Sequence, residues 1–117
     1  MDVSLGEPLA APPSDGARLE AHPLPGRTGL RIVGEVTLDT RHIWRETLAE
    51  LTRLAGTPLH VDLSEVAFID VAGVTDLATA ARSLPGGRRI VAHRPPAQLA
   101  RVLGIFWPGP SGIEVAP

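Results

Sequence analysis

The chain has 117 residues, no cysteine, and a formal net charge of −2 from 11 basic and 13 acidic residues. This length favours one domain with a core that needs no cross-links, and the lack of cysteine excludes disulfides and thiolate metal sites. The slightly negative charge predicts no general attraction to nucleic acid. No segment approaches the ~20 apolar residues of a membrane span and no secretory signal is recognisable, so we expect a cytoplasmic protein without membrane insertion.

The first part of the chain predicts a flexible arm followed by a hairpin. Residues 1–17 are rich in proline and glycine and lack apolar patterning, which is typical of a flexible arm. We therefore predict an N-terminal arm over 1–17 and a single domain over 18–117. Strands are predicted at 17–24 and 30–35, and the turn residues 25–29 between them favour a hairpin.

An amphipathic helix is predicted after the hairpin. Asp39 or Thr40 can cap its start, and Gly56 and Pro58 end it. Its apolar residues recur at helical spacing along one stripe: Ile43, Trp44, Leu48, Leu51 and Leu54.

The next segment predicts a strand, a short linker and a second helix. Apolar and polar residues alternate over 59–63, as in a half-buried strand. Phe68 and Ile69 are expected to anchor the linker, and Asp70 opens the helix. The apolar stripe of this helix comprises Val74, Leu77, Ala78, Ala81 and Leu84.

Two further strands and a third helix complete the pattern. Residues 89–93 predict a short apolar strand, Pro95 and Pro96 suit the first positions of a helix, and 113–115 predicts a last strand. The buried stripe of the third helix is expected to comprise Leu99, Val102, Leu103 and Phe106. Strands that alternate with helices predict an α/β fold with right-handed crossovers and a largely parallel sheet.

The motifs of common enzyme classes are missing from the sequence. No serine lies in a G-x-S-x-G elbow, no phosphate-binding glycine loop is present, and no carboxylate pair stands out for acid–base chemistry. The histidines fall in separate segments without metal-ligand spacing: His22, His42, His60 and His93. We therefore expect no enzyme, no cofactor and no metal. The alternative is a small-molecule site in a cleft near Arg31, Arg88 and Arg89.

Asp70 and Gly73 mark the start of the second helix. An aspartate at the N-cap accepts a backbone N–H and places a negative charge at the positive end of the helix dipole, which contributes about 1 kcal/mol. A glycine in the first turn costs about 1 kcal/mol relative to alanine. Gly73 therefore predicts close approach by a neighbouring backbone or by a partner.

Three stretches of the sequence resemble the STAS domain, a family named after sulfate transporters and anti-sigma factor antagonists. They are Gly34–Asp39, Val61–Val74 and Pro96–Leu103, and the resemblance extends over about 18–116. It implies a small α/β fold with a mixed sheet packed by helices on one side. It also implies protein binding rather than catalysis.

The resemblance includes a regulatory motif that this chain has altered. Anti-sigma factor antagonists carry Asp-Ser-Ser-Gly, and their partner, an anti-sigma factor that is also a kinase, phosphorylates the first serine and so releases the complex. Here Asp70 and Gly73 match the motif, but Val71 and Ala72 replace the serines. Neither side chain can accept phosphate. Thr75 and Ser64 are the alternative hydroxyls nearby.

We therefore predict a protein-binding regulatory module whose partner is an anti-sigma factor or kinase-like ATPase. Its predicted contact residues lie at the start of the second helix and in the preceding linker: Asp70, Val71, Ala72, Gly73, Val74, Thr75, Ser64 and Glu65. Other branches of the family suggest a subunit that docks on the ATPase of a lipid-transporting ABC system, or a small-molecule-sensing domain. A third interpretation is a homodimer through the edge strand at 17–24.

Overall fold

The computed structural model describes residues 18–107 and 111–117. Its elements are β1 (Leu19–Pro23), β2 (Gly29–Val36), a 3₁₀ turn (Leu38–Thr40), α1 (Arg41–Arg53), β3 (Leu59–Ile69), α2 (Val71–Arg82), β4 (Ile90–His93), α3 (Ala97–Phe106) and β5 (Ile113–Ala116). The predicted arm over 1–17 lies outside the described residues. No helix in the described ranges has the length and apolar character to span a membrane.

The strands form one five-stranded sheet in the order β1-β2-β3-β4-β5. β1 is antiparallel to β2, and every other neighbouring pair is parallel. Each crossover through α1, α2 or α3 advances to the next strand in the same direction. Because such crossovers are right-handed, all three helices pack on one face. This confirms the predicted α/β fold with a mixed, largely parallel sheet and helices on one side.

The core lies between the sheet and the helices. Along β3, Leu59, Val61 and Leu63 are at most 1% exposed, whereas His60 and Asp62 point to the opposite, open face of the sheet and are half-buried. The helices bury the residues predicted from their spacing: Trp44, Leu48, Leu51, Val74, Leu77, Ala78, Ala81, Leu99, Val102 and Leu103. Ile43, Leu54 and Leu84 are partly buried against the same core.

The predicted linker after residue 63 is wrong, because β3 continues to Ile69. Its register against β2 shifts twice, between Arg31 and Val33 and between Gly34 and Glu35. At each shift β3 carries one extra residue, as in a bulge, which re-aims the side chains that follow. Ile69 is buried as expected, but Phe68 is 41% exposed and anchors no linker.

The N-cap of α1 is Thr40, one of the two predicted residues. Its side chain makes no capping hydrogen bond, and its hydroxyl instead donates to the carbonyl of Glu35 at 2.7 Å. The preceding 3₁₀ turn was not predicted. At the end of α3, the predicted burial of Phe106 is wrong, because its side chain is 57% exposed.

Candidate functional site

The start of α2, residues 70–75, is called the α2 corner below, and Asp70 holds it in place. Its carboxylate oxygen Oδ1 accepts a hydrogen bond from the backbone N–H of Gly73 at 2.8 Å. Its own N–H donates to the carbonyl of Val36 at 3.0 Å. Asp70 therefore caps α2, as predicted, and joins the helix start to the end of β2.

Large apolar side chains are exposed around this corner. Because Val36 lies opposite Ile69 in two parallel strands, the residues that end or follow β2 and β3 share one edge of the sheet. At that edge Leu38 is 81%, Phe68 41% and Val71 50% exposed. Leu38, Phe68 and Val71 are called the apolar patch below. Val71 is therefore not buried by its own fold, and neither it nor Ala72 has a hydroxyl.

Gly73 is explained by the interior of the protein. A Cβ placed on Gly73 would lie 2.5 Å from Cγ1 of Val36 and 2.9 Å from Cγ1 of Ile69. The buried indole of Trp44 donates its Nε1–H to the carbonyl of Gly73 at 2.9 Å. Of the two predicted reasons for this glycine, close approach by its own fold therefore applies, and a partner is not needed to explain it.

The structure separates the other predicted contact residues. Thr75 lies in the α2 corner, where its hydroxyl donates to the carbonyl of Val71 at 2.9 Å. Ser64 and Glu65 are exposed on β3, and Ser64 precedes Asp70 by six residues along the extended strand. Glu65 forms an ion pair with Arg31 at 3.3 Å. Asp70, Val71, Ala72 and Thr75 therefore lie together at the corner, whereas Ser64 and Glu65 are not part of it. Gly73 is buried and Val74 is 0% exposed, so the prediction that Val74 supplies apolar contact to a partner is wrong.

An ion-pair cluster supports the corner from the side of α1. Arg41 binds Asp76 through two hydrogen bonds, Nε to Oδ2 at 3.0 Å and Nη2 to Oδ1 at 3.2 Å. Arg45 lies 3.5 Å from the same carboxylate. The hydrogen bonds that Arg41 donates to Asp76, followed by the negative charge of this carboxylate, raise the pKa of Arg41. Because Asp76 is only 10% exposed, this cluster ties α2 firmly to α1.

A second polar cluster, on the open face of the sheet, was missed by sequence reasoning. His60 and His93 stack with ring centroids 5.0 Å apart, and Nδ1 of His60 lies 2.8 Å from Nε2 of His93. Arg27 donates to the same Nε2 at 3.1 Å. The two histidines lie on adjacent parallel strands. Only a correct prediction of the register between these strands would have placed the two rings side by side.

Two groups on this face have shifted pKa values. Burial, then the charges of Arg27 and His93, lowers the pKa of His60 below its ordinary value. For Asp62, burial alone would raise the pKa. Hydrogen bonds from Ser64 and the charges of Arg94 and His93 outweigh it, so the pKa is lowered. His60 is thus biased towards its neutral form and Asp62 towards its charged form.

The structure does not bring Arg31, Arg88 and Arg89 into one cleft, because Arg31 lines a different cleft from the other two. Arg88 donates to the carbonyls of Gly56 at 2.9 Å and Leu54 at 2.6 Å, and so satisfies the end of α1. Arg89 pairs with Glu114 at 3.1 Å. Arg31 instead lies on the open face, beside Asp62 in the sheet register. Within 18–107 and 111–117, no cluster of three histidine, aspartate or glutamate side chains could hold a metal ion.

Comparison with known proteins places the fold and the family. Among solved structures, the chain is similar to "the Anti-Sigma Factor Antagonist SpoIIAA in its Unphosphorylated Form", with 18% identity and a TM-score of 0.58 over 86% of this chain and 89% of that chain. It is also similar to a serine-to-glutamate variant of Moorella thermoacetica RsbS, with 20% identity and a TM-score of 0.54 over 85% and 86% of the two chains. These likenesses show a shared fold.

The sequence comparison identifies the family. No curated protein matches the chain. A family model described as "Mlab, STAS domain" matches residues 23–106, which include α1, α2, α3 and three of the five strands. Because this match spans well over half of the sequence, the chain belongs to the Mlab STAS domain family.

Proposed function

We propose that this protein is a regulatory, non-enzymatic binding module that contacts a protein partner through the α2 corner. The observation that carries the proposal is the half-exposed Val71 immediately after the capping Asp70. A β-branched apolar residue at a helix start gains nothing from facing water. Covering it removes apolar surface from solvent at about 25 cal/mol per Å².

The neighbouring residues support the same surface. Leu38 and Phe68 extend the exposed apolar area along the edge of the sheet. The backbone beneath them is held by the Asp70 cap and by the Arg41–Asp76 ion pair, so little ordering accompanies binding. A stable complex would bury about 1,200 to 2,000 Å² in total, with the apolar patch near its centre.

The proposed partner is an anti-sigma factor or a related kinase-like ATPase in the cytoplasm. Phosphorylation would place a charge near −2 in a packed interface beside Asp70, which opposes binding. Because Val71 and Ala72 have no hydroxyl, we propose that binding is not reversed by phosphorylation at these positions. Thr75 and Ser64 remain the candidate acceptors for another phosphorylation.

The same missing hydroxyls support a second candidate function. A subunit that stays bound to the ATPase of an ABC transporter does not have to be released by phosphorylation at the α2 corner. In that case the same apolar patch would serve as the docking surface. The two candidates differ in the partner rather than in the site.

Affinity capture with matched variants tests the proposal. Wild type, Val71→Asp and the control Ile105→Asp would be used as baits, with circular dichroism to show that each variant is folded. Ile105 is 64% exposed on α3, away from the α2 corner. We expect Val71→Asp to lose the partner and Ile105→Asp to retain it.

The identity of the captured protein separates the two candidates. An anti-sigma factor with a kinase-like domain supports the first, and an ABC ATPase supports the second. Recovery of the same partner by Val71→Asp at wild-type level would contradict the α2 corner as the binding surface. Equal loss in both variants would contradict it as well.

A further inference from the structure

The open face of the sheet carries a row of polar side chains that the proposed function does not use. His22, Arg31, Asp62 and His93 lie in register on four neighbouring strands. Because residues in register point to the same face of a sheet, all four project away from the helices. Arg27, from the turn before β2, and Arg94, directly after β4, flank the row.

All of these side chains except His22 line a cleft of about 410 Å³. Arg27 reaches the cleft from a turn, Arg31 from a strand and Arg94 from a loop. Four further residues line it: Leu24, Pro25, Asp62 and His93. The volume falls within the range of small-molecule sites, ≈ 300–1,000 Å³. It is large enough for one tetrahedral anion with a small organic substituent.

The charges in the cleft do not balance among the described residues. Arg94 lies 3.7 Å from Asp62, and Arg31 lies 3.3 Å from Glu65. Arg27 has no carboxylate partner in the described ranges, and its guanidinium donates to the ring of His93. This contact with an imidazole ring brings no negative charge to Arg27. A positive charge therefore remains without an anion.

We propose that this cleft binds the phosphate group of a small phosphate monoester. Three guanidinium groups that converge from three directions match the three terminal oxygens of a tetrahedral phosphate better than a planar carboxylate, which offers two. Guanidinium–phosphate hydrogen bonds are charge-assisted and often bidentate. Arg27 supplies the uncompensated charge, and Arg31 and Arg94 turn from their carboxylate partners towards the ligand.

The cleft is separate from the α2 corner. Asp62 precedes Asp70 by eight residues, of which two are the extra bulge residues of β3, so the two lie about 20 Å apart along the strand. The cleft lies on the open face of the sheet, whereas α2 packs on the other face. Phosphate binding and partner binding are therefore expected to fail independently, and Val71→Asp should leave phosphate binding unchanged.

A calorimetric titration of the full chain with methyl phosphate, at fixed pH and ionic strength, tests the proposal. The test variant is Arg27→Gln with Arg94→Gln. The control is Arg53→Gln with Arg101→Gln, which removes the same charge from exposed positions on α1 and α3. We expect the test variant to weaken binding by about tenfold or more, since each lost charge-assisted bond is worth ~1.5 kcal/mol or more. The control should bind within about twofold of wild type.

Further probes define the ligand and the outcome that overturns the proposal. Acetate should bind much more weakly than methyl phosphate. If the wild type co-sediments with phosphatidic-acid vesicles and the test variant does not, the phosphate belongs to a lipid headgroup. If the wild type binds methyl phosphate but not the vesicles, the phosphate belongs to a soluble ester. The proposal is overturned by unsaturable binding, by acetate binding as tightly as methyl phosphate, or by equal losses in test and control variants.

Discussion

At the scale of single residues, the motif at the start of α2 divides into internal and outward-facing positions. Asp70 bonds to Gly73 and Val36, and Gly73 is enclosed by Val36 and Ile69. Val71 faces solvent. The aspartate and glycine that match the family motif are therefore needed by the fold itself, and the proposed partner contact would rest on the exposed residues around them.

Gly73→Ala is expected to destabilise the protein. Alanine is a better helix former by about 1 kcal/mol, but its Cβ would collide with Cγ1 of Val36, and overpacking costs about 1–3 kcal/mol. Urea unfolding should therefore show no gain and a net loss of up to ~2 kcal/mol. The control is Gly104→Ala in α3, where an added Cβ meets nothing within 4 Å, and it should gain up to ~1 kcal/mol. A gain in both variants would contradict the packing assigned to Gly73.

The histidine pair predicts a pH dependence of stability. The pKa of folded His60 lies below its ordinary value of 6.5 because of burial and the charges of Arg27 and His93. The unfolded chain therefore binds more protons as the pH falls through 6.5, so the free energy of unfolding should decrease from pH 7 towards pH 5. The lowered pKa of Asp62 acts in a separate window, below 3.8.

Unfolding measured as a function of pH in two variants isolates this contribution. His60→Gln should flatten the dependence between pH 7 and pH 5. His42→Gln, at an exposed position on α1, should retain the wild-type slope. A wild-type slope in His60→Gln would show that the pair does not cause it.

At the scale of elements, apolar periodicity predicts most of the fold. Most residues of the stripes of α1, α2 and α3 are buried, and so are the apolar residues that alternate at the start of β3. The prediction fails where neighbouring strands decide the outcome. The bulges of β3 depend on its register against β2, and the exposure of Phe68 and Phe106 depends on which layer lies above them. Neither is encoded in local spacing.

The cap of α2 is the element-scale feature that a substitution tests most simply. Asp70→Ala removes the acceptor for the N–H of Gly73 and should cost about 0.5–2 kcal/mol of unfolding free energy. Asp70→Asn should restore most of it, because asparagine caps helices as well as aspartate does. Asp39→Ala, at an exposed position outside the α1 cap, should change stability by less than ~0.5 kcal/mol. Thermal or urea unfolding measures all three.

At the scale of the whole molecule, two surfaces have different origins. The α2 corner could be predicted because its residues are contiguous in sequence and resemble a family motif. The phosphate cleft could not, because Arg27, Arg31, Asp62 and His93 come together only through the order and register of three strands. Ser64 and Glu65 show the converse, since they are near Asp70 in sequence but distant along the extended strand.

Amide hydrogen exchange is the most direct test of whether a protein partner covers the α2 corner. Exchange would be compared in the free protein and in its complex with the captured partner. We expect slower exchange in residues 70–75 and in the 3₁₀ turn Leu38–Thr40, with little change in β1. Protection confined to the edge strand β1 or to the open face of the sheet, with no change in residues 70–75, would contradict it.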